Sequence, residues 1–387
     1  MTSSPEKRLR ILVLWGAAHF DDFLPEFLLT NPKYDIEIVS GDRSSQRSPH
    51  AASWGRLWSL RRRLARGEFD LVISSPIQNS AWPRPKRLAT CLAQAFRYFT
   101  YKRRMLDSYW AAWLLSGKVR GKVPLAVVDF LDTSFVLPKD YPLLEAATLY
   151  FKINLYSWRR RSLMPLETFF GMRRVTPFTL KLRPLTNGVP KSRIPATVRP
   201  FHERDIDVCF TGNMAPKRSA DDVNPFEDLS GNPIRQEIYE RCVKLKDRFN
   251  VYTFNGRVPL EEYRELLQRS KLVVCTESFG CETWRHYEAS AAGGIPLVNW
   301  PYTTNYMPMQ PDVHAIYFSL FGDDFERTVA RALADPAKLA EISRNTRAWT
   351  LEHKERGHVG DVVIEETLRE HRSRFTPGGD AVCSGGL

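Results

Sequence analysis

Short apolar runs return along the chain at intervals that each leave room for one helix, and this alternation limits the possible folds more than any single motif does. RILVLW (Arg10 to Trp15), IEIVS (Ile36 to Ser40), FDLVISS (Phe69 to Ser75) and PLAVVDFL (Pro124 to Leu131) mark the first half. IDVCFTGN (Ile206 to Asn213), FNVYTFNG (Phe249 to Gly256), KLVVCTES (Lys271 to Ser278) and GIPLVNW (Gly294 to Trp300) mark the second. Short apolar strands alternating with helices imply a parallel sheet covered on both faces. Two such series predict an α/β protein of two doubly wound, parallel-sheet domains facing each other across a cleft. The length agrees, because 387 residues exceed the roughly 250–300 at which one core stops growing.

The series break in KLRPLTNGVPKSRIPATVRP (181–200), whose four prolines and Asn-Gly pair disfavour a helix or a central strand. The expected organisation is a basic first domain over 1–195, a hinge near Pro184 to Pro200 and a second domain over 200–360. A C-terminal helix over 361–376, free to pack back on the first domain, and a Gly-rich flexible tail over 377–387 complete it.

Charge is divided unevenly between these halves. Through Arg199 the chain carries 33 Lys+Arg against 15 Asp+Glu, and beyond it 23 against 29. A first half at +18 beside a second at −6 predicts that only the first meets a polyanion such as lipid headgroups, an acidic glycan or nucleic acid; the alternative is a basic surface that is merely solvated. Within it, Arg87 to Lys122 interleaves Phe96, Tyr98, Phe99 and Tyr101 with Arg97, Lys102, Arg103 and Arg104. Such a segment either lies in the headgroup layer of an anionic membrane or buries its rings and exposes one cationic face. Arg61 to Arg63 and Arg159 to Arg161 add to the positive potential.

No apolar run approaches the roughly 20 residues of a spanning helix, so any membrane contact is expected to be peripheral. Six cysteines (Cys91, Cys209, Cys242, Cys275, Cys281 and Cys383) form no CxxC pair, and no signal-peptide core precedes the first strand. The expected compartment is the cytoplasm, including the inner face of its membrane. No helix-turn-helix or zinc motif supports sequence-specific DNA binding.

Open α/β sheets bind ligands beyond the carboxyl ends of their strands, which directs the search to the loops there. Gly212, Lys217, Arg218 and Arg285 supply glycine backbone and cations suited to a diphosphate, although a tight turn with solvated cations has the same sequence. Asn213, Arg257, Glu282, Thr303 and Asn305 lie in the same set of loops. Glu288 falls early in a helix expected over Arg285 to Ala292 and closed by Gly293-Gly294. A carboxylate there either accepts from two ribose hydroxyls or complements the helix dipole.

In the first half, the loop GAAHFDD offers His19, Asp21 and Asp22 as a catalytic base for an acceptor hydroxyl, with His19 nearest neutrality in its intrinsic pKa. The alternative is an aspartate N-cap with His19 on the surface. The histidines are scattered without HxH or HExxH, and the one Asp-x-Asp, Asp205 to Asp207, enters a strand at its start. No metal and no cofactor are expected, so charge on a departing nucleoside diphosphate would fall to Arg285, Lys217 and helix dipoles.

The string R-x-Y-E-A-x-A-A-G-G-I-P-L-V (Arg285 to Val298), preceded by GRVPLEEYRELLQRSKLVVCTES, resembles the donor-domain signature of GT-B glycosyltransferases, most nearly the spore-maturation-protein-like group with its glycosyltransferase family 1-type donor domain. The resemblance covers about Ile206 to Leu351 and touches LYFKINL (Leu149 to Leu155), which is similar to a YFK motif there and makes Lys152 an acceptor-side or membrane candidate. It implies Glu288 on the donor ribose, Arg285 near the diphosphate and the Gly212 turn near the phosphates.

The sequence departs from the E-x7-E pattern of related retaining enzymes, since Gly280 stands eight residues before Glu288. Glu282 and Glu277 are the acids left to fill that role. The resemblance implies transfer of a sugar from a nucleoside-diphosphate sugar, UDP first among the bases, and the basic first half adds an anionic acceptor: a lipid-linked glycan, a surface polysaccharide, a protein or a nucleic acid. The rival readings are a nucleotide-sugar epimerase and a GT-B binding module without chemistry. Nothing in the sequence bears on oligomeric state.

Overall fold

The computed structural model describes residues 8–15, 31–40, 54–76, 114–115, 119, 121–131, 133–212, 232–277 and 280–375. The first domain contains β1 (Leu9–Trp15), β2 (Tyr34–Ser40), α1 (Trp54–Ala65), β3 (Leu71–Ser74), β4 (Leu125–Asp129), α2 (Tyr141–Ala146), β5 (Leu149–Lys152), β6 (Leu155–Tyr156), α3 (Met164–Phe170), α4 (Met172–Val175) and β7 (Leu182–Pro184). Six of these strands form one sheet in the order β2-β1-β3-β4-β5-β7. Every pairing in it is parallel.

The second domain runs β8 (Ile206–Gly212), α5 (Asn232–Lys244), β9 (Val251–Asn255), α6 (Leu260–Arg269), β10 (Ser270–Val274), α7 (Trp284–Ala291), β11 (Ile295–Asn299), β12 (Thr303–Thr304), β13 (Ile316–Phe318), α8 (Asp324–Leu333), α9 (Pro336–His353) and α10 (Arg356–Phe375). Its sheet is ordered β13-β11-β10-β8-β9 and is again parallel throughout.

Burial explains why these runs became strands. Every residue of β3, β4 and β11 is buried, as strands covered by helices on both faces require. The expected strands are all present, and β5 and β7 extend the first sheet beyond them. The proline-rich 181–200 stretch carries β7 as an edge strand, where a strand ending in Pro184 leaves no ladder bond unmet.

The hinge carries the chain from the first domain to the second, and other contacts join the two. β6 of the first domain pairs antiparallel with β12 of the second, Leu155 opposite Thr304 and Tyr156 opposite Thr303. α10 returns to the first sheet: Val359, Val363 and Ile364 join Ile11, Val13, Ile73, Ala126 and Val128 in one apolar cluster. Tyr34 donates to Asp361 Oδ1 at 2.6 Å, and Arg374 to the Thr148 carbonyl at 3.2 Å.

Candidate functional site

The carboxyl ends of β8, β9, β10 and β11 and the start of α7 converge on one edge of the second sheet. β8 ends at Gly212, whose carbonyl accepts from Gly256 N at 2.9 Å and ties the β8 and β9 ends together. A β-carbon on residue 212 would stand 3.7 Å from both Arg285 Nη1 and Nη2. With glycine there, the guanidinium lies against bare backbone at the end of the strand. Arg285 Nε is buried and has no hydrogen-bond partner. A planar cation with an unmet donor, beside glycine backbone at a helix N-terminus, is chemically suited to an oxyanion such as a diphosphate.

α7 owes its start to Thr283 and His286. The Thr283 N–H donates to His286 Nδ1 at 3.2 Å, so the imidazole takes the place that Glu or Gln fills in the usual capping box. Burial, with Arg285, Lys354 and Arg235 nearby, pushes the His286 pKa down to about 4 and keeps the ring neutral as a cap acceptor. The helix closes at Gly293, whose φ of 75° lies in the left-handed region. A β-carbon there would also meet Arg204 Nη2 at 2.7 Å.

Glu288 is buried on α7 with both carboxylate oxygens engaged. Oε1 is paired with Arg193 of the hinge, and Oε2 accepts from Tyr263 of α6 at 3.0 Å. The Arg193 guanidinium also lies 5.5 Å from the Trp284 ring centroid. A cavity of about 180 Å³, lined by Arg193, Arg264, Gln268 and Glu288 among others, opens beside this pair. Neither Arg193 nor Tyr263 was legible as a site residue, since each reaches Glu288 only through the fold.

Glu282 faces the hinge: its Oε1 accepts from Thr186 Oγ1 at 2.8 Å and from Asn187 N at 2.5 Å. Its own N–H donates to Asn154 Oδ1 at 2.9 Å. Asn154 explains Gly280, because a β-carbon at 280 would come within 2.1 Å of Asn154 Nδ2. The place of the first acid in E-x7-E is thus filled by a side chain of the first domain. Glu277, half-buried at the end of β10, has its N–H held by Asn299 Oδ1 at 3.0 Å and its Oε2 3.6 Å from Cys281 Sγ.

The remaining candidates separate. Arg257 is exposed just after β9, Thr303 is buried in β12, and Asn305 follows with a buried Oδ1 that has no hydrogen-bond partner. Lys152 corrects an expectation: it is fully buried, donating to Asp129 Oδ2 at 3.0 Å and to the Leu131 carbonyl at 3.3 Å. Tyr150 donates to the same Asp129 oxygen at 2.8 Å. Lys152 balances an aspartate at the end of the neighbouring strand of the first sheet and is not the free surface cation that LYFKINL suggests. His19, Asp21, Asp22, Asn213, Lys217, Arg218, Arg97, Lys102, Arg103 and Arg104 lie outside the described residues. Among the described residues no three His, Cys, Asp or Glu side chains gather as a metal site.

Residues 228–365 match a family model described as "Glycosyl transferase-like". A search of curated proteins finds no match. Among solved structures, the chain is similar to a glycosyltransferase from Rickettsia africae ESF-5, at 9% identity and a TM-score of 0.51, over 94% of this chain and 98% of that one. Anabaena Alr3699/HepE in complex with UDP aligns at 12% identity and a TM-score of 0.49, over 92% of this chain and 99% of that one. The catalytic domain of Starch Synthase IV from Arabidopsis thaliana, bound to ADP and acarbose, aligns at 9% identity and a TM-score of 0.47, over 95% and 100%. Two parallel-sheet domains joined by a proline-rich hinge, with a last helix crossing back to the first sheet, give this chain the α/β two-domain GT-B fold.

Proposed function

We propose that the chain is a glycosyltransferase that takes a sugar from a nucleoside-diphosphate sugar, with UDP as the first base to test. The observation that carries this reading is the Arg285 guanidinium lying over Gly212 at the end of β8 with an unmet Nε donor. In this reading the diphosphate sits between that guanidinium, the β8 turn and the start of α7. The arginine and the helix N-terminus then offset the charge that develops as the nucleoside diphosphate leaves. The family-model match over 228–365 supports the class. The spore-maturation-protein-like group is the narrower form of the proposal, and the acceptor is an anionic molecule bound by the basic first domain. His19, Asp21 and Asp22 remain the proposed sources of the catalytic base.

One observation favours a second reading, a binding module without transfer: both oxygens of Glu288 are engaged by Arg193 and Tyr263. For Glu288 to hold a ribose, the two hydroxyls must add to or displace those partners.

The test is a thermal-shift screen against UDP, GDP, CDP, dTDP and ADP, with and without chelator, on the native protein and on Arg285→Ala and Glu288→Ala. A nucleotide at about 100 times its Kd stabilises the native state by roughly 2.7 kcal/mol, which is easily read. Stabilisation by one nucleotide, unaffected by chelator and lost in both variants, supports the donor site. No stabilisation by any of them refutes it. Stabilisation without turnover of the matching nucleotide sugar favours the binding module.

A further inference from the structure

A second feature of the first domain has no part in the donor site. Between Trp158 and Lys181 the chain makes a series of short helical turns that include α3 and α4. Trp158 and Leu180 there are each 67% exposed, Phe169 60%, Met164 52% and Met172 51%. Water-facing apolar side chains of this size normally occur singly, and five within 24 residues need an occupant. The same stretch holds Arg159, Arg160, Arg161, Arg173, Arg174 and Lys181 against one acid, Glu167. That acid is already paired with Arg160 at 2.9 Å.

The turns share a surface. Arg160 lies 6.0 Å over the Trp158 ring, binds Glu167 of α3 and meets Met172 Sδ of α4. Arg173 and Arg174 are exposed. The stretch follows β6 directly, and β6 pairs with β12 of the second domain, so this surface borders the seam between domains.

We propose that this surface docks the protein on an anionic lipid bilayer, with Trp158, Met164, Phe169, Met172 and Leu180 entering the headgroup boundary and the arginines meeting lipid phosphates. Two copies of the chain pressed together here would set cations against cations. A nucleic acid would use the arginines and one indole, but it would leave the exposed Met and Leu side chains in water. A bilayer satisfies both chemistries at once. Docking is peripheral, since among the described residues no helix is long and apolar enough to cross a membrane. The inference does not rest on the donor-site reading.

The experiment is co-sedimentation of the full chain with vesicles of phosphatidylcholine alone and of phosphatidylcholine mixed with phosphatidylglycerol, at low and high salt. Binding is expected to the mixed vesicles only and to weaken with salt. At about fivefold per basic residue, Arg173→Glu with Arg174→Glu should weaken it roughly 25-fold or more. Trp158→Ala with Phe169→Ala should weaken it as well, while circular dichroism stays native because all four positions are exposed. Failure to bind the mixed vesicles, equal binding to neutral ones, or unchanged binding by both double variants would overturn the proposal. So would displacement by a single-stranded oligonucleotide that binds the same four residues more tightly, or a dimer that dissociates in the variants. Nucleotide-induced thermal shifts in the same variants separate this outcome from that of the donor site.

Discussion

At position 280 the backbone passes so close to Asn154 that any side chain would collide with its amide. Asn154 is itself held at φ 53°, a left-handed conformation that Asn tolerates better than most residues and Gly better still. Gly280→Ala should therefore cost about 1–3 kcal/mol through overpacking, read as a lower urea midpoint at unchanged slope. Adding Asn154→Gly should restore part of that loss, because it removes the colliding amide at a backbone angle glycine accepts. A double variant no more stable than Gly280→Ala would show that the collision is not the source. This pair also marks a limit of legibility. The missing acid of E-x7-E was visible as a gap, but the residue that fills it comes from 126 positions earlier. Lys152 carries the same lesson: within LYFKINL it has the look of a free cation, and only the sheet shows Asp129 beside it.

At the scale of elements, α7 links the candidate site to pH. His286 caps the helix while neutral, and its pKa is held near 4 against an ordinary value of 6.5, chiefly by burial. Between those values the unfolded chain binds the proton and the folded one does not, so this contribution is fully present above pH 6.5 and is lost as pH falls toward 4. The depression corresponds to on the order of 3 kcal/mol. His286→Gln keeps an acceptor at the cap without a titration, so its stability should fall less steeply than the native protein's between pH 6.5 and 4. Equal slopes in urea titrations across that range would refute the assignment.

The helix itself was legible from its Gly293-Gly294 stop and the buried strand that follows, as were the strands that are buried on both faces. The strands β6 and β12 were not, because two-residue strands have no periodicity and these two exist only as each other's partners. The pairing of Arg193 with Glu288 was hidden for a similar reason, since the hinge has to fold back over α7 to make it.

The whole molecule turns on the seam where hinge, α7 and the α9–α10 junction meet. Lys354 stands there fully buried, its Nζ donating to the Tyr306 carbonyl and lying 4.9 Å from the Trp349 ring and 5.1 Å from the Tyr287 ring. Its carbonyl accepts from Val189 of the hinge at 2.7 Å. Burial pushes the Lys354 pKa down to about 7, against the pull of Glu282. Glu282 is in turn raised, chiefly by its own burial, and is held by Thr186 and Asn187. Both charges are thus placed on the joint between the domains. The two groups are linked through their charges rather than by a direct ion pair, so Lys354→Met and Glu282→Gln should each cost about 1–3 kcal/mol, chiefly through the buried hydrogen bonds each side chain makes. The double variant should cost less than the sum of the two, because neither charge then remains. Strict additivity would show that the two side chains act separately. Lys354 adds a pH signature: between about 7 and its ordinary 10.5 the folded state holds fewer protons than the unfolded chain, so stability should rise with pH across that window. Lys354→Met should remove the rise, and a variant that keeps it when unfolded in urea at pH 7 and at pH 9 would place its origin elsewhere in the molecule.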